Sequence, residues 1–153
     1  MRNIFLAVVL VATTLVAQAQ DTKPVKASKR VAAAVQPVKA VYHINTGIDT
    51  AAAALNNIQN HLNADPSAKI VVVTHGAGID FLLDGAKDSK GREFSGMVAD
   101  LTGKGVQFRV CNNTLTSRNI DASKVSMEAK IVPSGVAEVA RLQAKEGFVY
   151  LNP

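Results

Sequence analysis

Residues 69–75 read KIVVVTH, a run of β-branched and apolar residues with no polar alternation. A strand with one wet face alternates apolar and polar residues, whereas a strand covered on both faces is apolar throughout. This run therefore predicts a central strand of a sheet with helices on both sides. Its neighbours fit the same plan. VYHIN (41–45) is a short β-rich segment closed by Thr46-Gly47. Between the two runs, TAAAALNNIQNHL (50–62) places Ala51, Leu55, Ile58 and Leu62 at i, i+4, i+7 and i+11, an amphipathic helix with Asp49 as the expected cap.

Beyond residue 75 the alternation continues. IDFLLDGAK suggests a short helix, and SKGRE a polar break. FSGMVADLTGKG (94–105) reads as a helix with a glycine stop, and VQFRVC (106–111) as the third strand. NTLTSRNI (113–120) starts a further helix, and KIVPSG (130–135) is a fourth strand ended by proline. VAEVARLQAKEG (136–147) is amphipathic with a glycine exit, and FVYLN (148–152) is a last short strand. Strands alternating with helices imply an open, mostly parallel α/β sheet with helices on both faces.

The 153-residue chain opens with MRNIFLAVVLVATTLVAQA (1–19), which has a basic second residue, an apolar stretch from Ile4 to about Val16, and the small-x-small exit Ala17-Gln18-Ala19. That is the layout of a secretory signal peptide cleaved after Ala19. The apolar stretch falls short of the ~20 residues a bilayer core requires, so no transmembrane anchor is expected after cleavage. The product is expected to be periplasmic or secreted. Residues 20–39 (QDTKPVKASKRVAAAVQPVK) hold five basic residues and no aromatic, the composition of a flexible basic tail. From Ala40 onward acidic and basic residues balance, so the excess charge of +5 belongs to the amino-terminal segments. A nucleic-acid partner loses its support from this partition. The tail is a solvated spacer or a weak ligand for anionic lipid surfaces. Residues 40–153 suffice for one small domain without disulfides, as they must with a single cysteine.

In sheets of this class, ligands gather beyond the carboxyl ends of the strands. Those ends are Asn45 after the first strand, His75-Gly76 after the second, Cys111-Asn112 after the third, and Pro133-Ser134-Gly135 after the fourth. Cys111 stands where a strand hands over to a helix, with Asn112 or Asn113 as expected cap. Backbone N–H groups there favour an anion and would lower the thiol from its usual ~8.5. A small buried core residue is the competing reading. His75 is a titrating group at the rim or a backbone-bonded structural one. HGAG (75–78), with Gly76 and Gly78, offers backbone N–H groups to an anion. It is no dinucleotide fingerprint, because Phe81 stands where a third glycine is needed. His43 and His61 have no metal-ligand spacing with other residues, and no cofactor motif or Ser-His-Asp pattern is present. The Asn112-Asn113-Thr114 sequon matters only in a eukaryotic secretory pathway.

KIVVVTHGAGIDFLL, GVQFRVCNNTL and IVPSGVAEVARLQAKEGFVYLNP resemble, in wording and order, the DsrE/DsrF-like family over about residues 40–153. The resemblance implies a three-layer α/β/α domain with a five-stranded, mainly parallel sheet, assembled as a homo-oligomer (dimer, trimer or hexamer). It implies that Cys111 matches the family's sulfur-accepting cysteine, which takes a persulfide from a donor and passes it to an acceptor, each a protein or a small sulfur compound. His75, Asn112 and Ser134 would surround it, a placement resting on the strand ends. Two departures stand out: the expected export, and the absence of any sign of a hetero-oligomeric partner. A thiol-based sulfur carrier is the first expectation. A non-catalytic binding module with a space-filling Cys111, and a structural oligomer docked to the envelope by its tail, are the others.

Overall fold

Val71, Val72 and Val73 occupy the middle of β2 (Lys69–Thr74), the central strand of the sheet. The computed structural model describes residues 36–153, so the expected signal peptide and nearly all of the basic tail lie outside the described residues. Five strands are present among the described residues: β1 (Lys39–Ile44), β2, β3 (Gln107–Cys111), β4 (Ala129–Val132) and β5 (Val149–Leu151). They pair in the order β4-β3-β2-β1-β5, and every pairing is parallel. The domain is a three-layer α/β/α sandwich.

The layers are unequal. One sheet face carries α1 (Ile48–Ala64), a 3₁₀ segment (Gly76–Leu82), α2 (Phe94–Gly103) and α3 (Asn112–Ser117). There Leu55, Ile58, Phe81, Phe94, Phe108 and Leu115 form the main core. The ring of Phe81 meets Phe94 and Phe108 edge-on, at centroid distances of 5.7 and 6.3 Å. Fully burying such a side chain contributes about 1.5–3 kcal/mol. Among the described residues the other face is covered by α4 (Gly135–Glu146) alone, through Val139 and Leu142 against Val41, Val71, Val73 and Phe148. Ser134 caps α4 by accepting the Ala137 N–H at 3.4 Å, and Gly147 ends it in the left-handed conformation (φ 72°).

Connectivity explains the inequality. The first three crossovers step one strand at a time from β1 to β4 on the main-core side. The fourth, α4, must return from one edge to β5 beside β1, and the uniform hand of parallel crossovers places it on the opposite face. Connections therefore diverge between β3, which feeds α3 on one face, and β4, which feeds α4 on the other. At such a switch point the carboxyl ends of the strands leave a crevice.

Several local expectations are corrected. α1 begins at Ile48 with Gly47 as N-cap, so Asp49 lies inside its first turn, where a carboxylate still complements the exposed N–H groups. The IDFLL segment is 3₁₀ rather than α-helical, because Gly78 is pressed against the end of β1: a Cβ there would overlap the Ile44 carbonyl. α3 starts at Asn112, and Cys111 itself is its N-cap residue, in place of Asn112 or Asn113. As expected, by contrast, β4 ends at Val132 immediately before Pro133.

Candidate functional site

Cys111 ends β3 at the switch point and lies 5% exposed at the floor of a shallow, open depression. His75, Asn113, Thr114, Ser117, Ser134 and Val136 complete the lining, and its volume is about 340 Å³. Gly135, first residue of α4, packs into the angle between β2 and β3. A Cβ there would lie 3.1 Å from the Thr74 carbonyl oxygen, 3.2 Å from His75 Cβ and 3.3 Å from Cys111 Cβ. Glycine at this position lets the start of α4 approach the thiol.

Burial pushes the Cys111 thiol up, since a thiolate loses hydration there. Hydrogen bonds outweigh it: the Gly135 backbone N–H, the Thr114 hydroxyl and N–H, and the Asn113 N–H all favour the anion. The net result is a thiol below its ordinary range. The donors come from the starts of both α3 and α4, which bracket the sulfur. The Asn113 N–H, which also favours the thiolate, donates to the Pro133 carbonyl at 3.3 Å.

Thr114, which sequence reading did not single out, ties this site to β2. Its hydroxyl accepts the Gly76 N–H at 3.0 Å and is among the groups that favour the Cys111 thiolate. Arg118 clamps the same corner from α3, bonding to the Gly76 carbonyl at 3.1 Å and to Asp80 at 2.6 Å. The Gly78 N–H donates to the His75 carbonyl at 3.0 Å. The N–H groups of Gly76 and Gly78, expected to face an anion, are thus committed within the protein.

The structure brings together Cys111, His75, Asn113, Ser134 and Gly135. Asn112 turns away and lines a separate depression with Thr116, Asn119 and Asp121. Pro133 contributes its carbonyl, and Asn45 is exposed at the end of β1, its backbone against Gly76 and Gly78. On the α4 face, beside His75, stand two further residues that were not anticipated. The His43 and His75 rings are 4.7 Å apart, and His43 Nδ1 shares a 2.8 Å hydrogen bond with the Tyr150 hydroxyl. Neither showed a signal in sequence, because their meeting depends on β5 returning beside β1.

A more enclosed depression of about 350 Å³, lined by Phe81, Val98, Val125 and Met127 among others, holds no cysteine or histidine. Among the described residues no group of three or more His, Cys, Asp or Glu side chains is placed to hold a metal ion, and no helix is long and apolar enough to cross a membrane.

Comparison with known proteins agrees with this architecture. The family model of the DsrE/DsrF-like family matches residues 29–153. Among solved structures, protein MTH1491 from Methanobacterium thermoautotrophicum, described as of unknown function, superposes with a TM-score of 0.68 at 31% identity, over 76% of this chain and 99% of that one. The ychN protein from E. coli superposes with a TM-score of 0.64 at 16% identity and the same coverage of 76% and 99%, a likeness of fold. No curated protein matches the chain.

Proposed function

The chain belongs to the DsrE/DsrF-like family, whose fold is of the sulfur-relay type, and from that premise we propose that it is a sulfur carrier acting through Cys111. The observation that carries the proposal is the bracketing of one thiol by donors from two helix starts at the switch point of the sheet. In the donor step the Cys111 thiolate attacks the outer sulfur of a persulfide R–S–SH. The donor's S–S bond breaks, a new S–S bond forms on Cys111, and R–S⁻ leaves and is protonated. In the acceptor step a second thiolate attacks the sulfur borne by Cys111, and the Cys111 thiolate is the leaving group. A low thiol pKa serves both steps, since it makes Cys111 ionised on attack and a good leaving group on transfer. No metal or redox partner enters this balance.

Export after cleavage at Ala19 and self-assembly belong to the same proposal. Assembly draws support from the α4 side, where Val136 and Tyr150 are exposed. Mass measurement of the mature amino terminus tests the first, and sedimentation tests the second.

The alternative, a binding module in which Cys111 fills space, draws on its 5% exposure. A chase experiment separates the two. Protein treated with polysulfide and desalted is mixed with a small thiol, and released persulfide is followed. Wild type should discharge sulfur stoichiometrically and Cys111→Ser none. Equal release from both proteins would leave the binding module as the better account.

A further inference from the structure

Four adjacent strands place Tyr150, His43, His75 and Cys111 in a line along the α4 face of the sheet, in the order β5, β1, β2, β3. Thr74 of β2 is the register partner of Val110 of β3, so the next residues of each strand, His75 and Cys111, are cross-strand neighbours. Gly135 confirms the proximity, since the site of its missing Cβ lies 3.2 Å from one Cβ and 3.3 Å from the other. Both residues line the same depression.

The two histidines are unusual in one respect. Nε2 of His43 and Nε2 of His75 are both buried with no hydrogen-bond partner among the described residues, although buried polar atoms are nearly always paired. Their rings, tilted by 39°, face each other at 4.7 Å, so two positive charges there would repel strongly. Burial, then the neighbouring His75, holds His43 below its ordinary value. Tyr150 fixes its ring through the bond to Nδ1.

We propose that His75 is the proton-exchange partner of Cys111 during sulfur transfer, and that His43, anchored by Tyr150, is a positioning residue that restricts the stacked pair to a single proton. This rests on Cys111 being a sulfur carrier. His75 takes the proton of the Cys111 thiol, giving thiolate and imidazolium. The thiolate attacks the outer sulfur of R–S–SH, and the imidazolium returns its proton to the departing R–S⁻. Thiol plus donor persulfide become Cys111 persulfide plus R–SH, with no net change in protons or electrons. With the two rings 4.7 Å apart, His43 and His75 do not both carry a charge during the transfer. Of the other charged groups on this face, Lys130 of β4 is exposed beside Arg109, and Lys69 is exposed at the start of β2, at the opposite end of the strand from His75. Arg109 of β3 pairs with Glu138 of α4, which also binds Arg141, while Lys39 and Glu146 lie at the far ends of β1 and α4. On the opposite side of the corner, Arg118 is paired with Asp80.

The test is the pH profile of sulfur loading from polysulfide, read by intact mass, for wild type, His75→Gln, His43→Gln and Tyr150→Phe, each checked for folding by thermal denaturation. His75→Gln should slow loading about a hundredfold near neutral pH, the lower range for a lost acid–base group, and flatten the profile. His43→Gln should move the profile to higher pH with its maximum retained, and Tyr150→Phe should move it the same way by less. Profiles that superpose on wild type would overturn the assignment while leaving the carrier function standing. A wild type that takes up no sulfur would instead overturn the carrier function itself. Should His75→Gln fail to fold, NMR titration of the wild-type imidazoles decides. A His75 titration that shifts when Cys111 is alkylated supports exchange, and an unchanged one refutes it.

Discussion

Replacing Thr114 by valine keeps the shape of a side chain 8% exposed and removes one hydroxyl. That hydroxyl favours the Cys111 thiolate and accepts the Gly76 N–H at 3.0 Å, so its loss has two separable effects. A hydrogen bond to a charged group contributes about 1.5–3 kcal/mol, and 1.36 kcal/mol corresponds to tenfold in ionisation. The thiolate population at a fixed pH below the midpoint should therefore fall about tenfold. The Gly76 N–H, left without a partner at the buried corner, should cost the fold about 1–3 kcal/mol. Alkylation of Cys111 by iodoacetamide against pH measures the first effect, and urea denaturation the second. Thr114→Ser, which restores the hydroxyl, should recover the reactivity and lose only methyl contacts. A folded Thr114→Val whose alkylation profile coincides with wild type would refute the donor geometry at the sulfur.

Further expectations concern the fold and its pH dependence. Gly78→Ala forces a methyl group into the Ile44 carbonyl and should cost several kcal/mol or prevent folding, seen as loss of the thermal transition. Gly135→Ala is tight against three neighbours and should expose Cys111, raising its alkylation rate relative to the unfolded chain while lowering the thermal midpoint. Because folding lowers the Cys111 thiol, the unfolded state binds more protons between the folded value and the unfolded ~8.5, so stability should rise with pH across that window and be absent below it. Cys111→Ala should lack that rise in paired urea titrations. Folding also lowers His43, a base, so stability should be lost as pH falls from about 6.5 toward the folded value. His43→Gln should remove that acid-side loss.

The sheet was legible because β-branched runs such as IVVVT have no other comfortable conformation, and α4 because Ser134, the amphipathic spacing and Gly147 agree. Cys111, His75, Ser134 and Gly135 emerged as neighbours from one rule, that parallel strands end on a common rim. What escaped depends on long-range placement. Asn112 looks like a rim residue, yet Cys111 itself takes the capping position and the first turn of α3 rotates Asn112 to another depression. The Gly76–Leu82 segment carries helical spacing but is wound tighter by the contact of Gly78 with β1. Thr114 gave no signal because its hydroxyl serves two partners that are separated in the chain. His43 and Tyr150, 107 residues apart, meet only because α4 crosses the whole sheet before β5 begins.

The most direct test of sulfur carriage is intact-mass measurement of the folded protein after stoichiometric polysulfide, beside Cys111→Ser. Wild type should gain the mass of one sulfur atom, removable by a thiol reductant and mapped to the peptide containing Cys111, while Cys111→Ser gains none. A Cys111 that accepts sulfur only after denaturation would contradict the carrier and mark it as a structural residue.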